Sequence, residues 1–325
     1  MRGFRKGPAF LKIALSEDPG PEGPTIQSQD RLLKAKKHFT EYLELQREEL
    51  GDEYGSWLLD GSWLLDLYNK VTSQLKVSLY EVESSAEVGV IFEVMNNRGK
   101  PLSELEKVKN YLLYLSSKLS IENHDLGEKI NKTWSNIFRR LMASGFVDTG
   151  SENQLLRVHW LIAHDYQSKN WKGSKSVKDR FNLKHHKGRH KELLADLIEY
   201  TSSLDRASLP YCDIARPRRD DAFASLRDDP EFRQIIAATD KLGRMRAVAT
   251  FLPLLVATRL RHPQDGGRYL EMTNICEVFA FRVYRMLERR ANTGESKLRH
   301  LAYQMYSEGR PFEDVIGDLR GRLLY

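Results

Sequence analysis

Apolar residues recur every three or four positions along most of the chain after residue 103, and this spacing is the strongest constraint on its fold. Such a period places apolar side chains on one face of an α-helix. The first stripe contains Leu105, Val108, Leu112, Leu115 and Leu119. Further helices are expected near residues 126–141, 153–166, 190–204, 231–241, 245–261, 269–290, 296–308 and from 312 to the end. The sequence therefore predicts a mainly α fold with a multi-helical body.

The N-terminal part of the chain has a different pattern. We expect a helix from about Ser28 to Leu50, an edge strand over Phe10–Leu15 and a half-buried strand over Leu75–Val82, where apolar and polar residues alternate. These elements indicate a small, incomplete α+β N-terminal part. The predicted organisation is an N-terminal domain over residues 1–120 and a helical domain over residues 121–325.

A predicted turn and the start of a new helix precede the first apolar stripe. The Asn, Gly and Pro residues of Asn96–Pro101 favour a turn. Ser103 and Glu106 then have the spacing of a capping box, in which each side chain binds a free backbone N–H of the new helix. Arg98 and Lys100 make the turn basic. Two interpretations stay open: a phosphate-binding loop, or a structural turn in which Arg98 pairs with a carboxylate.

Composition restricts the class of protein. The chain has only two cysteines, Cys212 and Cys276, which argues against a disulfide framework and suits a reducing cytosol. No apolar run approaches the ~18 residues of a membrane span, and the N-terminus is not a convincing secretory signal. We therefore expect a cytoplasmic protein without a membrane partner.

The positive charge is concentrated in one segment. The whole chain has a net charge of +6, whereas Lys169–Lys191 holds seven Lys and two Arg against the single acid Asp179. Such a like-charge run favours a nucleic-acid backbone as partner, with Trp171 and Phe181 available to stack or pack; a solvated charged loop is the alternative. The nucleic-acid-binding candidates are Lys169, Lys172, Lys175, Lys178, Arg180, Lys184, Lys187 and Arg189.

Other chemistry has little support in the sequence. His185, His186 and His190 lack nearby Cys or acidic ligands, so no metal site is predicted there. Glu295-Ser296-Lys297 is interpreted as a helix cap, and we find no catalytic triad, P-loop or dinucleotide fingerprint. Aromatic residues at helical spacings are expected in the core: Trp134, Trp160, Phe279, Phe281 and Tyr284.

The stretch Phe92–Ser103, followed by Lys109–Leu113, resembles the second half of the GmrSD-type N-terminal domain of prokaryotic restriction and phage-defence proteins. Three residues match the Asn-x-Arg-Gly motif of that family, three match its following helix, and Glu106 replaces the usual Asp. The matched residues are Asn96, Arg98 and Gly99 in the motif and Leu102, Ser103 and Asn110 in the helix. The resemblance implies these candidates for nucleotide or phosphate binding: Asn96, Arg98, Gly99, Lys100 and Asn110.

Two parts of that family pattern are missing from the sequence. The family domain normally begins with an Asp-Gly-Gln-Gln-Arg-type segment in a ParB-like nuclease fold, and many relatives end in a His-Asn-His nuclease module. The sequence therefore resembles an internal piece of that architecture, apparently truncated at both ends: either it is a truncated reading frame, or another chain supplies the missing parts. Its catalytic residues are unknown, and whether it is an enzyme stays open.

The resemblance implies an NTP-dependent endonuclease in an intact relative, with an NTP and a divalent metal ion as cofactors. The leading hypothesis is a DNA-contacting helical part of such a restriction protein that is not catalytic alone. The alternatives are a helical protein–protein interaction module and a degenerate remnant without activity.

Overall fold

The computed structural model describes residues 27–53, 62–76, 102–119, 125–146, 148–245, 247–290 and 292–324. The chain divides into two compact units, Met1–Glu83 and Ser84–Tyr325. The mainly α fold is confirmed, and the described residues contain no strand. The strand predicted at Phe10–Leu15 lies outside these residues, as does most of the strand predicted at Leu75–Val82.

The first unit contains two described helices. Helix α1 spans Gln27–Glu53, and α2 spans Ser62–Asn69 before a π-helical turn at Lys70–Gln74. The helix predicted from Ser28 to Leu50 is thus confirmed with slightly wider bounds.

The second unit contains ten described helices. Their bounds are α3 Glu104–Leu119, α4 Asp125–Ala143, α5 Thr149–Ala163, α6 Ser174–Arg180, α7 His190–Ala215, α8 Phe232–Arg244, α9 Val248–Arg261, α10 Gly266–Phe279, α11 Glu295–Ser307 and α12 Phe312–Leu324. Short 3-10 turns lie at Ser168–Asn170 and Ala224–Leu226. None of the described helices combines the length and apolar character that crossing a bilayer requires.

The predicted capping box forms at the start of α3. Ser103 N–H donates to Glu106 Oε2 at 2.8 Å, and Glu106 N–H donates to Ser103 Oγ at 3.1 Å. Each bond satisfies a backbone donor that a helix start leaves unpaired. The apolar stripe that follows is buried, since Leu105, Val108 and Leu112 are fully shielded from solvent.

Helix α9 lies at the centre of the second unit. Every residue from Phe251 to Arg259 is buried, and α9 packs against α5, α7, α10 and α11. A helix that is apolar on all sides must be covered on all sides, which explains its position. Helix α3, which the sequence interpretation placed in the N-terminal domain, packs on α4, α5 and α6 in the second unit.

Two predicted helix ends differ from the structure. Helix α7 continues past Leu204 to Ala215 with Pro210 inside it, because tertiary packing outweighs the lost backbone donor. The helix expected up to Arg290 becomes π-helical over Ala280–Met286 and ends before Glu288, whose φ is +47°. The wider turn changes which face is buried. Phe281 is therefore 53% exposed, and the expectation that it belongs to the core is wrong.

Candidate nucleic-acid interface

The basic segment Lys169–Lys191 is folded onto the helical body. It contains α6 and the turns on either side of it. Ser174, Val177 and Phe181 lie three and four residues apart, so they share one face of α6, and all three are buried. This buried face fixes the segment to the core and leaves the basic face of α6 outward.

A carboxylate from α3 holds the start of α6. Ser174 N–H donates to Glu104 Oε2 at 2.6 Å, and Lys107 Nζ donates to Glu104 Oε1 at 2.8 Å. Burial opposes ionisation of Glu104, but the bonds from Lys107 and Ser174 outweigh it and hold the pKa of this carboxyl below its usual value of 4.5. The depressed pKa adds stability above about pH 4.5, which is lost as the pH falls through the folded-state value.

Further bonds fix the end of α6 and the turn that precedes the segment. Tyr111 Oη contacts the carbonyl oxygens of Lys178 and Phe181 at 3.3 and 3.2 Å. Burial raises the pKa of Tyr111 to about 12, so its hydroxyl keeps the proton that it donates. On the preceding turn, Arg157 Nη2 donates to Ser168 Oγ at 2.7 Å. The positions of the basic side chains are therefore set by a scaffold with defined hydrogen bonds.

The outer face of the segment carries positive charge without matching acids. Six lysines form no salt bridge with any described residue, and all six are exposed: Lys169, Lys172, Lys175, Lys184, Lys187 and Lys191. Arg180 is also exposed, and Lys178 lies over the Tyr111 ring at 5.9 Å. Arg189 has a long ion pair with Glu192, at 3.7 Å. Most of the charge is thus free to meet an anionic partner.

The two aromatic residues of the segment serve the scaffold. Phe181 is 1% exposed, and Trp171 is half-buried with its ring 5.4 Å from the Trp160 ring. The sequence predicted that both are available to stack or pack beside Lys and Arg. Phe181 packs: its ring is buried on the inner face of α6, 5.6 Å from the Arg180 guanidinium, and leaves no surface on which a partner could stack. Contact with a partner along the outer face therefore depends on the basic side chains.

A small cavity lies directly behind the basic segment. It has a volume of about 150 Å³, and we name it the His164–Tyr200 cavity. Its walls come from α5, α6, α7 and α11: Ala163, His164, Arg180, Phe181, Asp196, Glu199, Tyr200, Ser203 and Tyr306. The aromatic rings contact one another closely, with Phe181 and Tyr200 centroids 5.1 Å apart and His164 and Tyr200 centroids 5.5 Å apart.

Two residues that line this cavity have a buried polar atom without a hydrogen-bond partner, His164 Nε2 and Tyr200 Oη. The same holds for Nδ1 of His159, whose ring packs behind them, 5.7 Å from the His164 ring and 5.2 Å from the Tyr200 ring. Burial lowers the pKa of His159 to about 3 and that of His164 to about 2, and it raises the pKa of Tyr200. All three groups are therefore neutral at pH 7. His159 also contacts Ser203 Oγ through Nε2 at 2.9 Å, which fixes the orientation of its ring.

The end of α5 that carries His164 is held by α11. His164 N–H and Asp165 N–H both donate to the Trp160 carbonyl, at 2.9 and 3.1 Å. Ser307 Oγ contacts the carbonyl oxygens of Ile162 and Ala163 at 2.8 and 3.1 Å. These contacts satisfy carbonyl groups that a helix end leaves free.

A second cationic surface is largely neutralised. Arg218 and Arg244 both pair with Asp240, at 2.8 and 3.2 Å, in a cleft of about 570 Å³ between α4, α7 and α8. Arg219 in the same cleft pairs with Asp213 at 3.1 Å and with Asp221. Because carboxylates already bind these arginines, the cleft is a weaker anion site than the basic segment.

The structure adds little evidence for the other predicted site residues. Asn96, Arg98, Gly99 and Lys100 lie outside the described residues, so their proposed role is untested. Asn110 is half-buried on α3. His185 and His190 are exposed, and no group of three or more described His, Cys, Asp or Glu side chains is arranged to hold a metal ion.

The sequence interpretation did not identify His159, His164 or Tyr200. One signal was available for His159, because it lies three and four residues after Leu156 and Leu155 and so falls on an apolar helix face. The convergence of α5 and α7 on one cavity had no signal in the sequence. No family model, no curated protein and no solved structure matches the chain.

Proposed function

We propose that this chain binds nucleic acid, in the first place DNA, by contacting phosphates along the basic segment Lys169–Lys191. The proposal depends chiefly on one observation: six exposed lysines without a salt bridge to any described residue stand on a scaffold that α3 and α5 hold in place. Contacts of this kind position a protein on the backbone and carry no base sequence information. The predicted activity is therefore backbone binding with steep salt dependence.

The resemblance to the GmrSD-type domain supports DNA as the partner. On that basis we propose that the chain is the helical part of a nucleotide-dependent restriction protein and acts in phage defence together with a separate catalytic part. The described residues contribute the DNA-contacting surface to this arrangement. The nucleotide-binding role of Arg98 and Lys100 is part of the same proposal.

A charge-reversal experiment tests backbone binding. The test variant carries Lys172→Glu, Lys175→Glu, Lys184→Glu and Lys187→Glu. The control variant carries Lys132→Glu, Arg139→Glu, Arg289→Glu and Lys297→Glu, which are exposed residues of the same unit outside the basic segment. Both variants have the same net charge, so only the position of the change differs.

The affinity for a duplex DNA is measured across a salt series by fluorescence anisotropy. Each lost phosphate contact lowers the slope of log K against log salt by about 0.9, so the test variant should lose about 3 to 4 from the slope magnitude. The control should lose much less. Absence of binding at low salt, or equal losses in the two variants, would contradict the proposal.

One observation favours the protein-interaction alternative. Four exposed apolar residues lie within or beside the π-helical turn in sequence, each between 40% and 65% exposed: Val278, Phe281, Met286 and Leu287. Exposed groups of this kind occur at protein interfaces. If both charge-reversal variants bind DNA like the wild type, while Phe281→Ser abolishes binding to a partner chain, the alternative becomes the better description.

A further inference from the structure

The π-helical turn that follows α10 has one face against the core and one face in solvent. Its residues alternate between the two in pairs. The pairs that pack into the core are Phe279–Ala280 and Val283–Tyr284, and the exposed pairs are Phe281–Arg282 and Arg285–Met286. A π-helical turn closes on the fifth residue, as in the bond of 3.0 Å from Leu287 N–H to the Arg282 carbonyl. Residues four and five positions apart therefore share a side, so the exposed pairs form one continuous face.

Apolar side chains project from this face into the solvent. Phe281 is 53% exposed, Met286 65% and Leu287 64%. Val278, which precedes Phe281 by one turn at the end of α10, is 40% exposed. Single exposed apolar residues are common, whereas several on one face mark an interaction site. Covering these side chains would remove apolar surface from water, which is favourable.

The same stretch is positively charged. Residues 278–290 contain four arginines and a single acid, Glu288. Three of the arginines are exposed and form no ion pair with any described residue: Arg285, Arg289 and Arg290. Two copies of such a surface would repel each other, so the charge argues against self-association and favours an acidic partner.

The composition of the stretch favours a protein as that partner. Aromatic residues, Met and Arg are enriched in protein interfaces, while Lys and Glu are depleted. Residues 278–290 hold four Arg and no Lys, together with Phe281 and Met286. Membrane-surface helices use Lys as readily as Arg. A nucleic-acid strand would engage the arginines and the Phe281 ring, but it would leave Val278, Met286 and Leu287 without an apolar partner.

We propose that the exposed side of this turn binds a partner protein that presents an apolar surface surrounded by carboxylates. We name it the docking face, and it comprises Val278, Phe281, Arg282, Arg285, Met286 and Leu287. Phe281, Met286 and Leu287 form the apolar centre of the contact. Arg285, with Arg289 and Arg290 just after the turn, pairs with the carboxylates. The docking face is independent of DNA binding by the basic segment.

The test uses two designed helical peptides as probes. Both carry leucine on one face; the acidic peptide has glutamate on the other face, and the basic peptide has lysine there. Isothermal titration calorimetry measures their affinity for the whole chain, both as the wild type and as the charge-reversal variant of the basic segment. The acidic peptide should bind both forms, at least about tenfold more tightly than the basic peptide does, because like charges repel across an interface.

Two double variants separate the apolar and charged parts of the docking face. Phe281→Ser with Leu287→Ser removes apolar surface, and Arg285→Gln with Arg289→Gln removes charge. Each should weaken binding of the acidic peptide about tenfold, as the loss of an interface anchor does. All four residues are exposed, so stability in urea should change little.

Matched controls change the same residue types elsewhere. Leu209→Ser replaces a leucine of α7 that is 42% exposed, and Arg139→Gln with Arg233→Gln replaces two exposed arginines. Both controls should bind the acidic peptide like the wild type. Absence of acidic-peptide binding, or equal losses in the controls and in the docking-face variants, overturns the proposal.

Three further measurements test other occupants of the docking face. Co-sedimentation with vesicles of phosphatidylcholine and phosphatidylglycerol tests a lipid surface, sedimentation velocity tests a second copy of the chain, and fluorescence anisotropy tests duplex DNA. Phe281→Ser with Leu287→Ser should change none of these three results. Vesicle binding, self-association or DNA binding that this variant abolishes would overturn a protein partner. If the acidic peptide binds as expected and no DNA binds, the proposed function fails and the docking face stands.

Discussion

Ser174 N–H donates a hydrogen bond of 2.6 Å to Glu104 Oε2 across 70 residues of sequence. This bond joins the first turn of α6 to the first turn of α3. The basic segment is therefore attached at Ser174 to the same helix whose capping box the sequence predicted. Four predictions test this scaffold and the cavity behind it.

The first prediction concerns the carboxylate itself. Glu104→Gln removes the charge that strengthens the bonds from Ser174 and Lys107, and hydrogen bonds to charged groups contribute about 1.5–3 kcal/mol. We expect a loss of about 1–2 kcal/mol in the free energy of unfolding, measured by urea denaturation. Asp179→Asn makes the same charge change on an exposed residue of the segment and should cost little. Equal losses would show that the bond to Ser174 is unimportant.

The second prediction uses two glycines with positive φ. Gly173 has φ +65° and lies against the Glu104 side chain, with Glu104 Cδ 2.8 Å from the place of an added Cβ. Gly188 has φ +81° and no atom within 4 Å of that place. Gly188→Ala should cost about 1 kcal/mol from its backbone conformation alone.

Gly173→Ala should cost more than Gly188→Ala, because the new methyl group also displaces Glu104. The difference between the two unfolding free energies measures the contact with Glu104. Adding Glu104→Ala to Gly173→Ala should remove most of that difference. A Gly173→Ala variant as stable as Gly188→Ala would contradict the close packing of the segment on α3.

The third prediction concerns acid sensitivity. Burial lowers the pKa of His159 to about 3 and of His164 to about 2 from an ordinary 6.5, so the unfolded chain binds protons that the folded chain excludes. Above about pH 6.5 both imidazoles are neutral in the folded and the unfolded chain, so they add no pH dependence. Below that value only the unfolded chain takes up the protons, and the free energy of unfolding falls. From pH 7.5 to 5.5 we expect a loss of about 1.4 kcal/mol for each His.

Denaturation in urea at several pH values measures this slope. The variant His164→Phe should lose about half of the pH dependence, since His159 remains. Replacing His185, which is exposed, should leave the slope unchanged. A stability that stays flat between pH 7.5 and 5.5 would contradict the burial of both imidazoles.

The fourth prediction compares two buried tyrosines. Tyr200 Oη has no partner, whereas Tyr211 Oη contacts the Ser151 carbonyl and Gln154 Oε1, both at 3.1 Å. Tyr200→Phe should leave the free energy of unfolding unchanged or raise it, because it removes an unsatisfied group. Tyr211→Phe should lower it by about 1 kcal/mol. The opposite order would show that Tyr200 has a partner in the unliganded protein.

The sequence predicted the parts of the fold that depend on local pattern. The stripe from Leu105 and the capping box of Ser103 and Glu106 follow from spacing alone, and both are confirmed. Phe281 could not be placed, because the π-helical turn that exposes it depends on the packing of α10. Local pattern thus identified helices better than it identified their faces.

Of the candidate site, only the positive charge could be predicted from the sequence. Composition marked Lys169–Lys191 as basic, but the role of Glu104 depends on a contact between segments 70 residues apart. The same holds for the cavity, where His164 and Tyr200 come from different helices. Residue spacing carries no information about such long-range contacts.

The contact between Ser307 and the end of α5 has a consequence for the order of folding. Ser307 is 145 residues from Ile162, and α11 also packs along α5 and α9. Because the chain must first close a long loop, at a cost in entropy, we expect contacts so distant in sequence to form late. During synthesis the basic segment leaves the ribosome well before α11 does. The basic segment is therefore synthesised before α11, the helix that contributes Tyr306 to the wall of the cavity behind it.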